Sequence, residues 1–347
     1  MRIAIDVMGG DHAPDAIVKG CVEALPLIAP DDELILVGDR AVIEDILSDR
    51  GVADRRVTIE ATTQVISMDD SPVEAVRAKP DSSLVRLAML GSSRKTARPA
   101  DVVISAGNTG ACVSAATMYM KRLPGAHRPG IACTIPSLAG PVVLCDVGAN
   151  PEPRATHLAQ YGVMADVFAR RMLGKTSPRV AQMNIGSEEA KGTGMIKQVR
   201  DILREIPDLN YIGYIEGRDL FEGVADVVVT DGFVGNTMLK LAEGLARSLF
   251  KSLFTEIMNY DVELGLKMEP ALKSLFKKND YHEYGGAPLL GVNGSCFICH
   301  GSSEARTIRN AIRNAREHVQ AGVNQAIIER LAQLEGYLLG GERSEAA

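Results

Sequence analysis

The chain has no tryptophan, and Phe, Trp and Tyr together make up only 4% of its 347 residues. That shortage excludes a base-stacking platform for single-stranded nucleic acid. Positive charge is also short: 38 Lys and Arg stand against 44 Asp and Glu, a formal net charge of −6. Such a balance excludes a broad nucleic-acid footprint. Long apolar runs are missing too. Three stretches without charged side chains, 102–120, 129–145 and 284–303, are each broken by Gly with Asn, Ser or Pro, so none suits a bilayer span. Six cysteines lie scattered among apolar and small residues, unlike the framework of a secreted disulfide scaffold. The opening residues MRIAIDVMGG read as a strand rather than a secretion signal, so the expected location is the cytoplasm.

What is present is alternation. RIAIDVM, ELILVG, RVTIE, DVVISAG, PVVLCDVG, RVAQMNIG, NYIGYIEG and ADVVVTDG read as strands, each ending in Gly or a small polar residue. Amphipathic stretches at 13–27, 41–50, 108–122, 156–173 and 194–206 separate most of them. The pattern predicts βαβ units in one α/β domain over 1–347, a doubly wound, mostly parallel sheet covered on both faces. Ligands on such sheets bind outside the carboxyl ends of the strands. Here those ends are dense in Gly, Asn, Ser, Thr and Asp, and they supply the candidate site.

Asp6 to Pro14 (DVMGGDHAP) places Asp6, Asp11 and His12 after the first strand, with two glycines for a tight turn. Ser105 to Ala111 (SAGNTGA) joins a strand to a helix. Amides at that helix start, with Ser105, Gly107, Asn108 and Thr109, make a phosphate cradle. Asp146, Asn150 and His157 form a candidate polar wall, although Asn150 before Pro151 also suits a helix cap. Asn184 to Gly194 carries one cation, Lys191, in a glycine loop that can aim an ammonium at a phosphate or an oxyanion. Thr230 to Thr237 (TDGFVGNT) repeats the design with Asp231, Gly232 and Asn236, and His300, Ser302 and Ser303 follow a last strand.

From Leu245 the rhythm changes to two helices, a hairpin over 245–280 with an apolar turn at Glu263–Lys267. Leu249, Phe250, Leu253 and Phe254 form a stripe at a spacing of four, and Leu264 and Leu266 lie in the turn. Packing on the body or on a second subunit explains it, and so does an interfacial contact with a membrane. Arg306, Arg309, Arg313 and Arg316 share one helix stripe, either a solvated face or a docking strip for an acidic protein. Three look-alikes fail. Gly174-Lys175-Thr176 has Ala169 where a P-loop needs its first glycine; no G-x-G-x-x-G follows the first strand; and Cys296-Phe-Ile-Cys-His300 fits a buried strand better than haem attachment or zinc.

Taken together, AIDVMGGDHAP, SAGNTGA, DVGANPE, NIGSEEAKGT, VVTDGFVGN, GGAPLLGVNG and HGSS resemble the acyl-ACP:phosphate acyltransferase family of bacterial phospholipid synthesis, over nearly the whole chain. The resemblance implies a fold akin to isocitrate and isopropylmalate dehydrogenases and to phosphotransacetylase. It implies attack of inorganic phosphate on a long-chain acyl thioester of acyl carrier protein, with no cofactor and no metal. It also implies a homodimer, peripheral contact with the inner membrane face through the hairpin, and a downstream glycerol-3-phosphate acyltransferase as a further partner. On that basis Ser105, Gly107, Asn108 and Thr109 hold phosphate, Lys191 offsets charge and Asn236 hydrogen-bonds an oxygen. Proton handling falls to one of His12, His157 and His300, with no order among them, and His157 joins Lys191 and Asn236 as the candidate catalytic set. The rival expectations are a CoA-dependent phosphotransacetylase, a nicotinamide-dependent dehydrogenase, and a non-catalytic membrane scaffold.

Overall fold

Eleven segments rich in Val, Ile and Leu pair edge to edge in the computed structural model, which describes residues 1–137, 139–278 and 281–339. They are β1 (Arg2–Asp6), β2 (Glu33–Gly38), β3 (Val57–Ala61), β4 (Val102–Ser105), β5 (Gly130–Ile135), β6 (Val142–Cys145), β7 (Val180–Met183), β8 (Tyr211–Ile215), β9 (Val227–Val229), β10 (Ala287–Leu290) and β11 (Ser295–Ile298). The helices are α1 (Asp15–Ala24), α2 (Arg40–Asp49), α3 (Pro72–Ala78), α4 (Ser83–Leu90), α5 (Thr109–Ala115), α6 (Ala155–Leu173), α7 (Gly194–Glu205), α8 (Gly232–Tyr260), α9 (Val262–Lys278), α10 (Ala305–Gln320), α11 (Val323–Gln333) and α12 (Glu335–Leu339).

The sheet order is β3-β2-β1-β4-β11-β10-β5-β6-β9-β7-β8. Both flanks are parallel, as the buried Val/Ile runs predict: β1 pairs with β2 and β4, and β9 with β6 and β7. All eight strands expected from the pattern form. The sheet is mixed only at its centre, where β11–β10, β10–β5 and β5–β6 are antiparallel. β5 was hidden in the sequence because its six residues sit in an uncharged stretch between turn-forming segments, and β10 because it has only four residues. These two strands weld the halves into one core, with apolar layers on both faces.

Cys296 lies in β11 and both Cys296 and Cys299 are buried, as a strand requires. The 245–280 region differs in detail from expectation. α8 is a single 29-residue helix that stops at Asp261, and the expected turn at Glu263–Lys267 lies inside α9. The break falls at Asp261 because its backbone is extended and its carboxylate accepts from Leu264 N at 3.1 Å, capping the next helix. Gly265 reads as a turn in sequence but serves close packing, since a Cβ there would fall 2.3 Å from Met258 Sδ. The last two residues of that region, 279–280, lie outside the described residues. Among the described residues no helix is long and apolar enough to cross a membrane.

Candidate active site

Two strand-to-helix loops from different halves of the sheet face each other across a cleft of about 580 Å³. On one side β1 and β4 run parallel, and their carboxyl-end loops touch. The buried Asp6 carboxylate accepts from Ser105 Oγ at 2.8 Å and from Met8 N at 3.1 Å, while Ser105 Oγ accepts from Gly107 N at 3.1 Å. A Cβ at Gly9 would lie 2.6 Å from Asp6 Oδ2 and 2.8 Å from Gly107 Cα, so only glycine lets the loops close. Burial pushes the Asp6 carboxyl up, against hydrogen bonds that pull it down.

This network reassigns two expected phosphate ligands. Ser105 is buried and spends its hydroxyl on Asp6. Asn108 caps α5, its Oδ1 accepting from Ala111 N at 3.0 Å. Its Nδ2 donates to the carbonyls of Ser67, Met68 and Asp70. Both side chains hold the loop in shape. What remains for a ligand is Thr109, which lines the cleft, with the amides at the start of α5. That helix continues without a break through Met120.

The opposite wall repeats the logic with different residues. Asp146, fully buried after β6, accepts from Ile131 N (2.9 Å), Ala149 N (3.1 Å) and Asn150 N (2.7 Å). Burial still dominates and pushes its carboxyl up to about 6. The first turn of α8 lies directly on this loop: Gly232 N donates to Asn150 O at 2.9 Å, and a Cβ at Gly235 would fall 2.0 Å from Asp146 O. Asp231 caps α8 by accepting from Val234 N at 2.8 Å. The helix then projects Asn236 into the cleft with its amide unengaged among the described residues.

One turn further along α8 stands Lys240, a cleft residue that motif reasoning missed. The available signal was its spacing of four from Asn236 on a helix. Its ammonium lies 3.0 Å from His300 Nε2, across the cleft. His300 Nδ1 accepts from Ser302 N at 3.2 Å and lies 2.7 Å from Ser302 Oγ, which fixes the ring at the cleft. His300 and Lys240 thus join the two halves.

The expected trio Lys191, Asn236 and His157 is not assembled. Asn236 lines the cleft, but the loop after β7 is one strand farther out than β9, and Lys191 there is 52% exposed, its ammonium 3.9 Å from Glu188 Oε1. Asn184, on the same loop, also lies outside the cleft lining. His157 sits in the first turn of α6, where Nδ1 accepts from Arg154 N at 3.1 Å. It lines a different recess with Arg122, His127, Arg128 and Arg154. His12 is exposed and outside the cleft lining.

The arginine stripe of α10 is spent inside the molecule. Arg316 is 16% exposed, with Nε 2.9 Å from Asp32 Oδ2 and Nη1 donating to Leu27 O at 2.8 Å. Arg306 pairs with Glu283 at 3.1 Å, Arg313 donates to the Glu283 carbonyl, and Arg309 donates to Asn310 Oδ1. Leu249, Leu253, Leu264 and Leu266 are exposed on α8 and α9, in line with Leu241 and Leu245, while Phe250 and Phe254 are half-buried.

Known proteins share both this sequence and this architecture. A family model described as "Fatty acid synthesis protein" matches residues 1–326. A phosphate acyltransferase of Heliobacterium modesticaldum is 45% identical over 334 residues, covering 95% of this chain and 98% of that protein. One from Desulfitobacterium hafniense is also 45% identical over 334 residues, with the same coverage. Among solved structures, a phosphotransacetylase from Streptococcus pyogenes superposes with a TM-score of 0.61 at 17% identity, covering 92% of this chain and 94% of the other. That likeness extends to the fold.

Proposed function

Because the chain belongs to the fatty acid synthesis protein family, with phosphate acyltransferases among its relatives, we propose that it transfers a long-chain acyl group from acyl carrier protein to inorganic phosphate. It is an acyltransferase. The observation that carries the finer reading is the cleft itself, in which the starts of α5 and α8 converge with Thr109, Asn236 and Lys240 on one small volume.

Phosphate is already a competent nucleophile, so the main work is to strip its water, aim it, and stabilise the developing oxyanion. The amides at the start of α5 and the Thr109 hydroxyl are placed to hold it. A phosphate oxygen attacks the carbonyl carbon, and Asn236 donates to the oxygen that gains charge. The carbon–sulfur bond then breaks and the electron pair leaves on sulfur. A thiol of pKa about 8.5 leaves tolerably as thiolate and takes its proton from solvent or from His300, so no strong general acid is needed. Lys240 supplies positive charge at the cleft. Lys191, exposed and 3.9 Å from Glu188 Oε1, is the second cation of this reading.

Further elements of the reading are a role in phospholipid synthesis ahead of a glycerol-3-phosphate acyltransferase, a homodimer, and peripheral contact with the inner membrane face. The exposed leucines at 241, 245, 249 and 253 support an apolar partner for α8. The test of the reaction is release of carrier thiol from long-chain acyl carrier protein with and without phosphate. Phosphate-dependent release with equimolar acyl phosphate is expected. Phosphate-independent release, or none, overturns the reading.

A further inference from the structure

On α10 Arg306 and Arg316 are paired with carboxylates, and a larger group of cations without carboxylate partners lies elsewhere. Arg122, His127, Arg128, Arg154 and His157 line a recess of about 310 Å³ that has no carboxylate in its wall. Arg122 also lines a neighbouring recess of about 520 Å³ with Arg94 and Lys121. Through the shared Arg122 the two form one strip of five exposed cations and two histidines. Among the described residues none of the five cations forms an ion pair. Five like charges without counterions are unfavourable in the free protein, and the natural relief is an acidic surface brought against them.

We propose that this strip docks an acidic protein partner; resting on the function proposed above, that partner is the carrier that delivers the acyl thioester. Three observations favour it over other polyanions. First, the strip spans two recesses, more than one small anion covers. Second, the walls of the two recesses carry no exposed large apolar side chain, Leu123 being buried, so they lack the anchors that a membrane-surface segment inserts among lipids. Third, the strip borders the cleft. Arg128 donates to Asn150 Oδ1 at 3.2 Å, Asn150 O accepts from Gly232 N, and Val147 and Gly148 of that same loop line the cleft. A carrier seated on the strip therefore stands beside the start of α8, where its thioester is needed.

The test uses the full chain carrying Arg94→Glu and Lys121→Glu, two side chains with no hydrogen bond or ion pair among the described residues. A second variant, Arg122→Gln, removes charge at the centre of the strip. Steady-state kinetics are measured with acyl carrier protein and with an uncharged acyl-pantetheine of the same chain length, at 50 and 500 mM salt. Expected is a fall of about tenfold in kcat/KM for the carrier at low salt, carried by KM, with convergence on wild type at high salt. Turnover of acyl-pantetheine stays unchanged. Wild-type carrier kinetics in both variants overturn the docking site, and so does an equal loss with acyl-pantetheine. Unchanged carrier kinetics with lost binding to phosphatidylglycerol vesicles overturn it in favour of a membrane surface. Failure of the wild-type enzyme itself to use the carrier, while it turns over acyl-pantetheine, sinks the reaction reading instead.

Discussion

Adding one methyl group to α8 at two different glycines should have opposite effects. At Gly235 a Cβ would fall 2.0 Å from Asp146 O and 3.0 Å from the Asp146 carbonyl carbon. Relief requires the first turn of α8 to move off the loop by more than about 1 Å, since C···O contacts settle a little above 3 Å. That movement strains the Gly232 N to Asn150 O bond, now 2.9 Å, and carries Asn236 away with the helix. Overpacking of this kind costs about 1–3 kcal/mol, partly offset by about 1 kcal/mol from the better helix propensity of alanine. Gly244 stands on the same helix, exposed, with nothing within 4 Å of its would-be Cβ. There the propensity gain of about 1 kcal/mol is unopposed. Urea unfolding and phosphate-dependent thiol release measured side by side should show Gly235→Ala destabilised by up to about 2 kcal/mol and slowed about a hundredfold. Gly244→Ala should be stabilised at wild-type activity. A Gly235→Ala protein with native stability and native kinetics would refute the argument that the site is set by contact between α8 and the Asp146 loop.

Other consequences are open to direct measurement. Asn236→Ala should lower kcat by about 10²- to 10³-fold while leaving the unfolding midpoint within a degree or two, because its amide contributes to the cleft and not to the fold. The Asp146 carboxyl is pushed up to about 6 in the folded protein from an ordinary value of 3.8, so the folded state binds more protons between those limits. Its contribution to stability is complete below about pH 4 and is lost as pH rises through 6. The stability of wild type relative to Asp146→Asn should accordingly fall by about 1 kcal/mol between pH 5 and 7, and a flat difference would refute the assignment. Arg316→Met should cost about 1–2 kcal/mol in urea unfolding, because Asp32 loses a partner, while leaving the KM for acyl carrier protein unaltered. A rise in that KM would return docking to α10.

Much of the architecture could be read from one dimension. Runs such as ADVVV and PVVLC are apolar on successive residues, as strands buried on both faces are, and their glycine-rich ends meet at the cleft. The helices at 156–173 and 194–206 followed from periodicity within a residue or two. The spacing of the α10 arginines was equally clear, yet it concealed their fate: a one-dimensional pattern shows which face a side chain shares, not whether Asp32, some 280 positions earlier, lies under it.

The candidate site divides along the same line. Residue chemistry picked out Asn236, Thr109 and His300, which the fold brings to one cleft. It could not separate ligands from scaffold. Ser105 and Asn108 carry the same groups as Thr109, but tertiary contacts with Asp6 and the 67–70 segment consume them. Lys240 is unremarkable in sequence and becomes a cleft residue only because α8 leaves the sheet toward His300. Local periodicity and turn chemistry act over a few residues, so they are written along the chain. Which hydrogen bonds are already spent, and which cations stay unpaired, depends on segments distant along the chain, 41 positions for Asn108 and Ser67 and 99 for Ser105 and Asp6, and only the folded sheet brings those together.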